Sequence, residues 1–279
     1  MMNDDRPMPL RRVIKTLFLK LGVYGIFWRV RGRFRAWRPR TLRANYRWRR
    51  DNPNADPVPP PRMIYDVINE YEIEIFVKTG RKSAAKIEGA LSDAGCPISD
   101  FNSILDFGCG CGRIIRHWPG KTAAALSGSD YNSKLIDWCS ENLDLGHFFT
   151  NNLAPPLECD DQSFDLVYAN SVFTHLDEDL QNRWLAELRR VLMPGGALLL
   201  TTHGDAWSGG LDPAERIRYD QGKIVVRSGS SSGSNLCEAY HAPAYFRAVA
   251  KMFFETVHHF PKGNAAEKEQ DVWVLRSKF

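Results

Sequence analysis

Three glycines and two carboxylates form the clearest candidate for a nucleotide-binding site in this sequence. Asp106, Gly108, Gly110 and Gly112 make a D-x-G-x-G-x-G turn between a short apolar run and a helical pattern. Glycine is needed where the backbone approaches a ligand closely or adopts positive φ, and a turn of this kind binds the nucleotide in doubly wound sheets. Asp130 ends the next apolar run, where a carboxylate can accept hydrogen bonds from both hydroxyls of an unphosphorylated ribose.

The spacing of the turn excludes two common phosphate-binding loops. A G-x-G-x-x-G fingerprint fails because the sixth position counted from Gly108 is Arg113, and the G-K-[ST] sequence of a P-loop is missing. The acidic residue ahead of the glycines suits a cationic ligand better than a pyrophosphate. We therefore expect the turn to bind an amine.

These groups require a sheet whose strands end at one edge. Alternating strand and helix patterns predict an α/β fold, a doubly wound, mostly parallel seven-stranded sheet with helices on both faces. The strands are expected near residues 103–107, 123–129, 147–150, 164–170, 196–202, 253–259 and 270–277. Asp177 is expected to cap a helix that continues through Arg190 and ends at Pro194-Gly195-Gly196.

At the glycine turn the sequence resembles the class I S-adenosylmethionine-dependent methyltransferases, over roughly residues 80–279. FDLVYANSVFTHL resembles the family's fourth-strand motif, and LRRVLMPGGALLLTT resembles the following helix, turn and fifth strand. FFETVHHFPKG and DVWVLRS resemble the closing antiparallel pair. The resemblance implies a Rossmann-like fold and a methyltransferase with S-adenosyl-L-methionine as its cofactor.

The resemblance also implies roles for individual residues. The positions that match the family's cofactor site are Asp106, Gly108, Gly110, Gly112, Asp130, Asn152, Leu153 and Asn170. The turn would hold the methionine portion, Asp130 the ribose, Asn152 and Leu153 the adenine, and Asn170 would lie near the sulfonium. The family commonly has Asp where this chain has Asn152, and an amide can still pair with the adenine edge.

Histidines are the candidate general bases. Methyl transfer is an in-line displacement that depends mainly on positioning, and a base is needed only if the acceptor must lose a proton. His175 is the first candidate because it follows the fourth strand, and a packed or helix-capping histidine is the competing interpretation. His241 and His203 are weaker alternatives. The six cysteines show no metal-ligand spacing, so no metal is expected and the thiols are expected to be reduced.

Some acceptors are disfavoured by what the motifs lack. The fourth strand ends without the [ND]-PP-[YF] motif of exocyclic base amine methylation, and no Pro-Cys dipeptide suggests a cytosine-C5 nucleophile. Within a domain of residues 63–279, specificity is expected to come from a helical cap at 63–95, broken near Thr79-Gly80, and from an insertion at 204–241. The insertion contains SGSSSGSN and is interpreted either as a substrate lid or as a disordered surface loop.

Residues 1–50 form a basic arm, separated from the rest of the chain by a proline-rich linker at 51–62. The arm carries 15 Arg and Lys against Asp4 and Asp5, whereas the remainder of the chain is net acidic. An apolar run interrupted by Lys15 and Lys20 precedes the basic run, which disfavours a spanning helix. An anionic membrane surface is the first hypothesis for its partner, a solvated extension the second and RNA the third.

The function expected from the sequence is methyl transfer to a small-molecule, saccharide or lipid-linked acceptor. The alternatives are an RNA methyltransferase tethered by the arm and a binding protein that keeps the cofactor fold without catalysis. The expected location is cytoplasmic, with the arm at the inner face of the membrane.

Overall fold

The computed structural model describes residues 38–261 and 269–278. The first 37 residues, most of the predicted arm, therefore lie outside the described residues. The chain divides between Phe76 and Val77 into two compact units.

The described helices and strands follow the alternation expected of an α/β chain. The helices are α1 (Pro39–Asp51), α2 (Pro61–Ile68), α3 (Ile73–Asp93), α4 (Ser133–Asn142), α5 (Glu178–Val191), α6 (Pro213–Asp220) and α7 (Pro243–Phe253). The strands are β1 (Ser103–Phe107), β2 (Ala125–Asp130), β3 (His147–Thr150), β4 (Phe164–Ala169), β5 (Leu192–Thr202), β6 (Val225–Arg227), β7 (Glu238–Tyr240), β8 (Phe254–Phe260) and β9 (Asp271–Ser277).

The first unit contains α1 and α2, and a buried amide holds its start. Asn45 of α1 donates from Nδ2 to the Tyr71 carbonyl at 2.9 Å, and its Oδ1 accepts from the Ile73 amide at 2.9 Å. Among the described residues, no helix is long and apolar enough to cross a membrane.

The second unit is built on a seven-stranded sheet in the order β3-β2-β1-β4-β5-β9-β8. The first five strands of that order pair in parallel, and β9 pairs antiparallel with both β5 and β8. The chain moves from β1 to β2 on one side and later to β4 on the other, so the order reverses at β1. In doubly wound sheets, a ligand lies outside the carboxyl ends of the strands at such a reversal. The predicted fold class is confirmed.

Long apolar runs explain why the central strands pair in parallel. Leu198, Leu199 and Leu200 of β5 are fully buried, as are Leu166 and Val167 of β4, because helices cover both faces of the sheet. Helices α5 and α7 cover one face through side chains that include Trp184 and Phe246.

Helix α5 begins where the sequence predicts. The Asp177 side chain accepts a hydrogen bond from the Leu180 amide at 3.0 Å, which caps the first turn. The helix ends at Val191, and Pro194-Gly195-Gly196 lies within the irregular first part of β5 rather than at the helix terminus.

Two expectations about local structure are wrong. The predicted helix break near Thr79-Gly80 is absent: α3 runs through both residues, and the break between α2 and α3 lies at residues 69–72. The interpretation of the insertion at 204–241 as a disordered loop is also wrong, because it folds into α6 and the antiparallel pair β6-β7, while its role as a substrate lid stays a prediction. Arg227 on β6 forms an ion pair with Glu215 on α6, which ties these elements together.

Candidate active site

The glycine turn is fastened to the end of β2. The amides of Gly108 and Cys109 both donate to the Ser129 carbonyl, at 2.8 and 2.9 Å. Gly108, Gly110 and Gly112 all have positive φ, a conformation that other residues adopt only at a cost. A Cβ on Gly108 would overlap Cγ2 of Val172, so this glycine is required by close packing as well as by conformation.

Two buried thiols pack against the glycine turn. Cys109 and Cys139 each place Sγ 3.6 Å from the Gly110 carbonyl, and both residues are buried. A hydrogen bond between the two thiols and their burial raise the pKa of Cys109. All six cysteines are free thiols, and those at the turn are packing groups rather than nucleophiles.

Asp130 completes the turn through direct contacts. Its Oδ2 accepts from the Gly110 amide at 2.9 Å, and its Oδ1 accepts from the Asn132 amide at 2.9 Å. Burial raises the pKa of Asp130, while these two amides lower it. A carboxylate has about four acceptor sites, so each oxygen retains capacity for a ligand hydroxyl.

Asp106 presents a buried oxygen without a partner. Its Oδ2 has no hydrogen-bond partner among the described residues, and the residue is 2% exposed. Burial raises the pKa of Asp106 to about 7, against the lowering effect of a hydrogen bond from Tyr168. Tyr168 in turn accepts from Nε1 of Trp118 at 2.9 Å, which fixes the phenol. An unsatisfied buried carboxylate oxygen is costly, and an ammonium ligand would satisfy it.

The predicted adenine-side residues follow β3 at the same edge of the sheet. Asn152 is exposed, and Leu153 is 40% exposed. The Leu153 carbonyl accepts from Nε1 of Trp184 at 3.0 Å, and the Asn151 amide donates to the Asp130 carbonyl at 3.1 Å. This bond connects the loop after β3 to Asp130, the predicted ribose-binding residue. Asn170, directly after β4, is partly buried.

The three candidate histidines differ sharply in their surroundings. His175 lies in a short 3₁₀ turn after β4, with Nδ1 2.9 Å from the Cys237 carbonyl. His203, at the end of β5, places Nδ1 3.1 Å from the Ala239 carbonyl. His241 is 1% exposed, and its Nε2 lies 2.9 Å from Oε1 of Gln181.

Burial keeps these imidazoles neutral. It lowers the pKa of His175, that of His203 to about 4 and that of His241 to about 3. Repulsion from a protonated His175 further lowers the pKa of His203, and repulsion from a protonated His203 does the same for His241. The structure therefore brings the three predicted histidines into one electrostatically coupled cluster.

Sequence reasoning missed a polar network beside these histidines. Gln270, immediately before β9, accepts from Oγ1 of Thr201 at 2.6 Å and donates to Oγ of Ser171 at 2.9 Å. The sequence could have indicated this position of Gln270. A last strand that runs antiparallel to the others begins at the edge of the sheet where the parallel strands end. Within the described part of the chain, no group of three or more His, Cys, Asp or Glu residues is arranged to hold a metal ion.

The geometry defines a class of protein, a doubly wound nucleotide-binding fold with two buried carboxylates, Asp106 and Asp130, at the strand reversal. Residues 104–196 match the family model described as a methyltransferase domain. With the strand order and the glycine turn, this match places that segment in the class I S-adenosylmethionine-dependent methyltransferase family. The family implies S-adenosylmethionine as cofactor, and the unpartnered Asp106 oxygen and the spare acceptor capacity of Asp130 fit its amine and its ribose.

Relatives and solved structures agree with this assignment. A malonyl-[acyl-carrier protein] O-methyltransferase of Hahella chejuensis is 31% identical over 118 residues, which are 40% of this chain and 39% of that protein. A carboxy-S-adenosyl-L-methionine synthase of Pseudomonas aeruginosa is 27% identical over 157 residues, 51% of this chain and 64% of that protein. The chain thus spans less than two thirds of the length of these relatives.

Two solved structures share the fold. An S-adenosylmethionine-dependent methyltransferase from Mesorhizobium loti has a TM-score of 0.53 at 16% identity, covering 67% of this chain and 96% of that chain. The PH0226 protein from Pyrococcus horikoshii has a TM-score of 0.50 at 17% identity, covering 71% of this chain and 91% of that chain. At these identities the likeness concerns the fold alone.

Proposed function

We propose that this protein transfers a methyl group from S-adenosylmethionine to a small-molecule, saccharide or lipid-linked acceptor. The observation that carries the proposal is the pair of buried carboxylates at the strand reversal. Asp106 has an oxygen without a partner, and Asp130 is held by the Gly110 amide with acceptor capacity left over. No dinucleotide or P-loop spacing competes for the same turn.

The chain's own residues divide the work of binding. Asp106 takes the ammonium group, the amides of the turn approach the methionine portion, and Asp130 accepts the ribose hydroxyls. Asn152 and Leu153 contact the adenine, and Asn170 lies beside the reacting centre. When bound, the cofactor supplies an activated methyl group on a sulfonium.

His175 is the general base of this proposal. A carbonyl accepts hydrogen bonds and never donates them, so the 2.9 Å contact with Cys237 places the imidazole hydrogen on Nδ1. The lone pair is then on Nε2, as proton abstraction requires. His241 supports the cluster from inside the fold, since its Nε2 is engaged by Gln181.

The similar proteins favour a small acceptor. The relatives named above include an enzyme that methylates malonyl-acyl-carrier protein and a synthase of carboxy-S-adenosyl-L-methionine. Malonyl is an acyl group and carboxy-S-adenosyl-L-methionine is a small molecule, which supports a small acceptor group. A cytoplasmic location suits such substrates.

The test has two stages that use the full chain. Calorimetric titration with S-adenosylmethionine measures binding, and radiolabelled methyl transfer into lipid, RNA and small-molecule fractions of a host extract identifies the acceptor class. Transfer into the lipid or small-molecule fraction is expected. Cofactor binding without transfer into any fraction would favour a non-catalytic protein. Transfer into RNA would identify RNA as the acceptor in place of a small molecule, saccharide or lipid.

The proposal includes a location for the enzyme: residues 1–50, the basic arm, bind it to an anionic membrane surface. Its described part, α1, exposes Leu42 and Tyr46 at 46% and 69%, one helical turn apart. Arg43 and Arg47 are exposed on the same helix. Exposed apolar groups bordered by guanidinium groups suit a lipid interface with anionic headgroups.

Vesicle binding tests this location with a matched charge control. Full-length protein should co-sediment with phosphatidylglycerol-containing vesicles, and the binding should weaken with salt. Arg43→Glu with Arg47→Glu should abolish most of the binding. Arg218→Glu with Lys223→Glu, exposed on the second unit, makes the same charge change and should not. Equal loss in both double variants, or salt-dependent binding to RNA in place of vesicles, would contradict the proposal.

A further inference from the structure

The inserted segment holds two imidazoles in the same tautomer. Cys237 and Ala239, two residues apart, direct their carbonyls at Nδ1 of His175 and Nδ1 of His203. Both rings must therefore carry hydrogen on Nδ1 and a lone pair on Nε2. The segment that sequence reasoning treated as a lid or loop thus fixes the protonation pattern at the ends of β4 and β5.

Gln270 contacts the second nitrogen of His203. With the hydrogen of His203 on Nδ1, the amide nitrogen of Gln270 must face the lone pair on the other ring nitrogen, and in that orientation Oε1 accepts from Thr201 and Nε2 donates to Ser171. The same Nε2 lies 3.3 Å from Nε2 of His203. The amide orientation and the ring tautomer set by the Ala239 carbonyl are therefore consistent with each other.

The backbone at this edge is held in an unusual conformation. Ser171, the second residue after β4, has φ of 63° although it is not glycine. Its amide donates to Oγ1 of Thr201 at 2.8 Å, and its hydroxyl receives Gln270. Strained residues of this kind persist where the surroundings fix them, and they cluster at functional sites. Gln270 therefore ties the ends of β4 and β5 to the start of β9.

The two imidazoles at this edge are neutral. Burial lowers the pKa of both His175 and His203, and the nearby Glu238 opposes this only for His175. The adjacent cations Lys82 and Lys86 are ion-paired with Glu269 at 2.7 and 2.6 Å. An anionic acceptor buried here would lose its hydration and would compete with Glu269 for these two lysines, which is unfavourable.

We propose, building on the methyltransferase function above, that the acceptor atom is the oxygen of an uncharged hydroxyl group, with Gln270 as a positioning residue. A neutral amine can attack the methyl group through its lone pair before it loses a proton, and a carboxylate has no proton to lose. Neither acceptor therefore needs a general base. A hydroxyl requires a base, and His175 is a base whose lone pair is held on Nε2 by the Cys237 carbonyl of the insertion. The O–C bond forms as the methyl C–S bond breaks, its electron pair stays on sulfur, and the hydroxyl proton moves to Nε2 of His175.

The chemical type of the product tests the acceptor atom. Full-length protein is incubated with carbon-13 methyl-labelled S-adenosylmethionine and the fractions of a host extract, and the transferred methyl is examined by NMR before and after alkali. An alkali-stable O-methyl ether is expected. An alkali-labile ester or an N-methyl product would overturn the hydroxyl assignment while leaving the methyltransferase function intact. No transfer at all would instead count against the function itself.

The tautomers can be measured without catalysis. Nitrogen-15 NMR of histidine-labelled protein should show His175 and His203 as neutral rings with hydrogen on Nδ1. A ring with hydrogen on Nε2, or an imidazolium at neutral pH for either residue in the wild type, would overturn the inference. This readout does not depend on finding the acceptor.

Variants at Gln270 test its positioning role. Gln270→Glu replaces the donor beside His203 by a carboxylate, and an imidazolium signal from His203 is expected at neutral pH. Gln270→Leu should lower kcat roughly 10- to 100-fold by loosening the edge, while S-adenosylhomocysteine affinity stays within twofold. Gln221→Leu, an exposed glutamine in the insertion, is the control. Unchanged His203 signals in Gln270→Glu together with unchanged kcat in Gln270→Leu would refute the role.

Discussion

Gly233 of the insertion packs directly against Leu153 in the loop after β3. Its φ is +82°, and a Cβ on this residue would overlap Cδ1 of Leu153. The Gly233 amide also donates to the His175 carbonyl at 2.7 Å. One residue of the insertion therefore contacts both the proposed adenine loop and the turn that carries the proposed base.

Substitution at this contact should weaken cofactor binding. Gly233→Ala is expected to displace Leu153 and to raise the Kd for S-adenosylmethionine several-fold, as measured by calorimetry. Gly222→Ala is a matched control, because Gly222 also has positive φ, +71°, and nothing lies near its added Cβ. Both variants should lose about 1–2 kcal/mol of unfolding free energy from backbone strain alone. Equal Kd values in the two variants would show that the contact has no bearing on the cofactor.

Cofactor affinity should depend on pH through Asp106. Since burial raises its pKa to about 7 in the free protein, the carboxylate that attracts an ammonium is formed only as the pH rises through that value. The association constant for S-adenosylmethionine is therefore expected to increase across this range. Calorimetry at a series of pH values measures this dependence. The Asp106→Asn variant should lose it, whereas Asp137→Asn, a substitution at an exposed position on α4, should keep it.

The stability of the free protein should change in the opposite direction. The folded-state pKa of Asp106 lies above its ordinary value of 3.8, so the folded state binds the proton more tightly than the unfolded state. The resulting stabilisation is present below about pH 4 and is lost as the pH rises through about 7. Denaturation of the wild type and of Asp106→Asn should show this difference in slope, and parallel curves would count against the raised pKa.

Turnover should depend on His175 far more than cofactor binding does. His175→Ala is expected to lower kcat by roughly 10²- to 10⁴-fold and to leave the Kd for S-adenosylhomocysteine nearly unchanged. Because burial lowers the pKa of His175, wild-type kcat should fall only when the pH drops below the ordinary histidine range. His147→Ala, at an exposed position on β3, is the control. A variant that retains wild-type turnover would remove His175 from the mechanism.

The sheet was predictable because its signals are local. Apolar runs and their spacing gave β1 and β3 to the residue and β4 to within one residue, and the glycine turn located the strand reversal. β1 and β4 lie in the centre of the sheet and are mostly buried, so their hydrophobicity records their role directly.

The misjudged parts depend on contacts between distant residues. Gly80 resembles a helix breaker, but it lies inside α3. Glycine is needed at this helical position because a Cβ there would overlap the Arg113 carbonyl. β6 and β7 have three residues each, too few for a periodic signal, and the Arg227–Glu215 ion pair that holds β6 has no sequence signature. Gln270 was missed because its role follows only from the pairing of β9 with β5.

The most direct test of the account is the loss of S-adenosylmethionine binding on removal of the Asp130 carboxylate. Asp165 is its matched control, since it also accepts two backbone amides, from Asn102 at 2.7 Å and Ser103 at 2.9 Å, at the opposite end of the sheet. Calorimetric titration should give saturable binding in the wild type and in Asp165→Asn, and at least about tenfold weaker binding in Asp130→Ala. Undetectable binding to the wild type, or equal affinity in Asp130→Ala, would contradict the account.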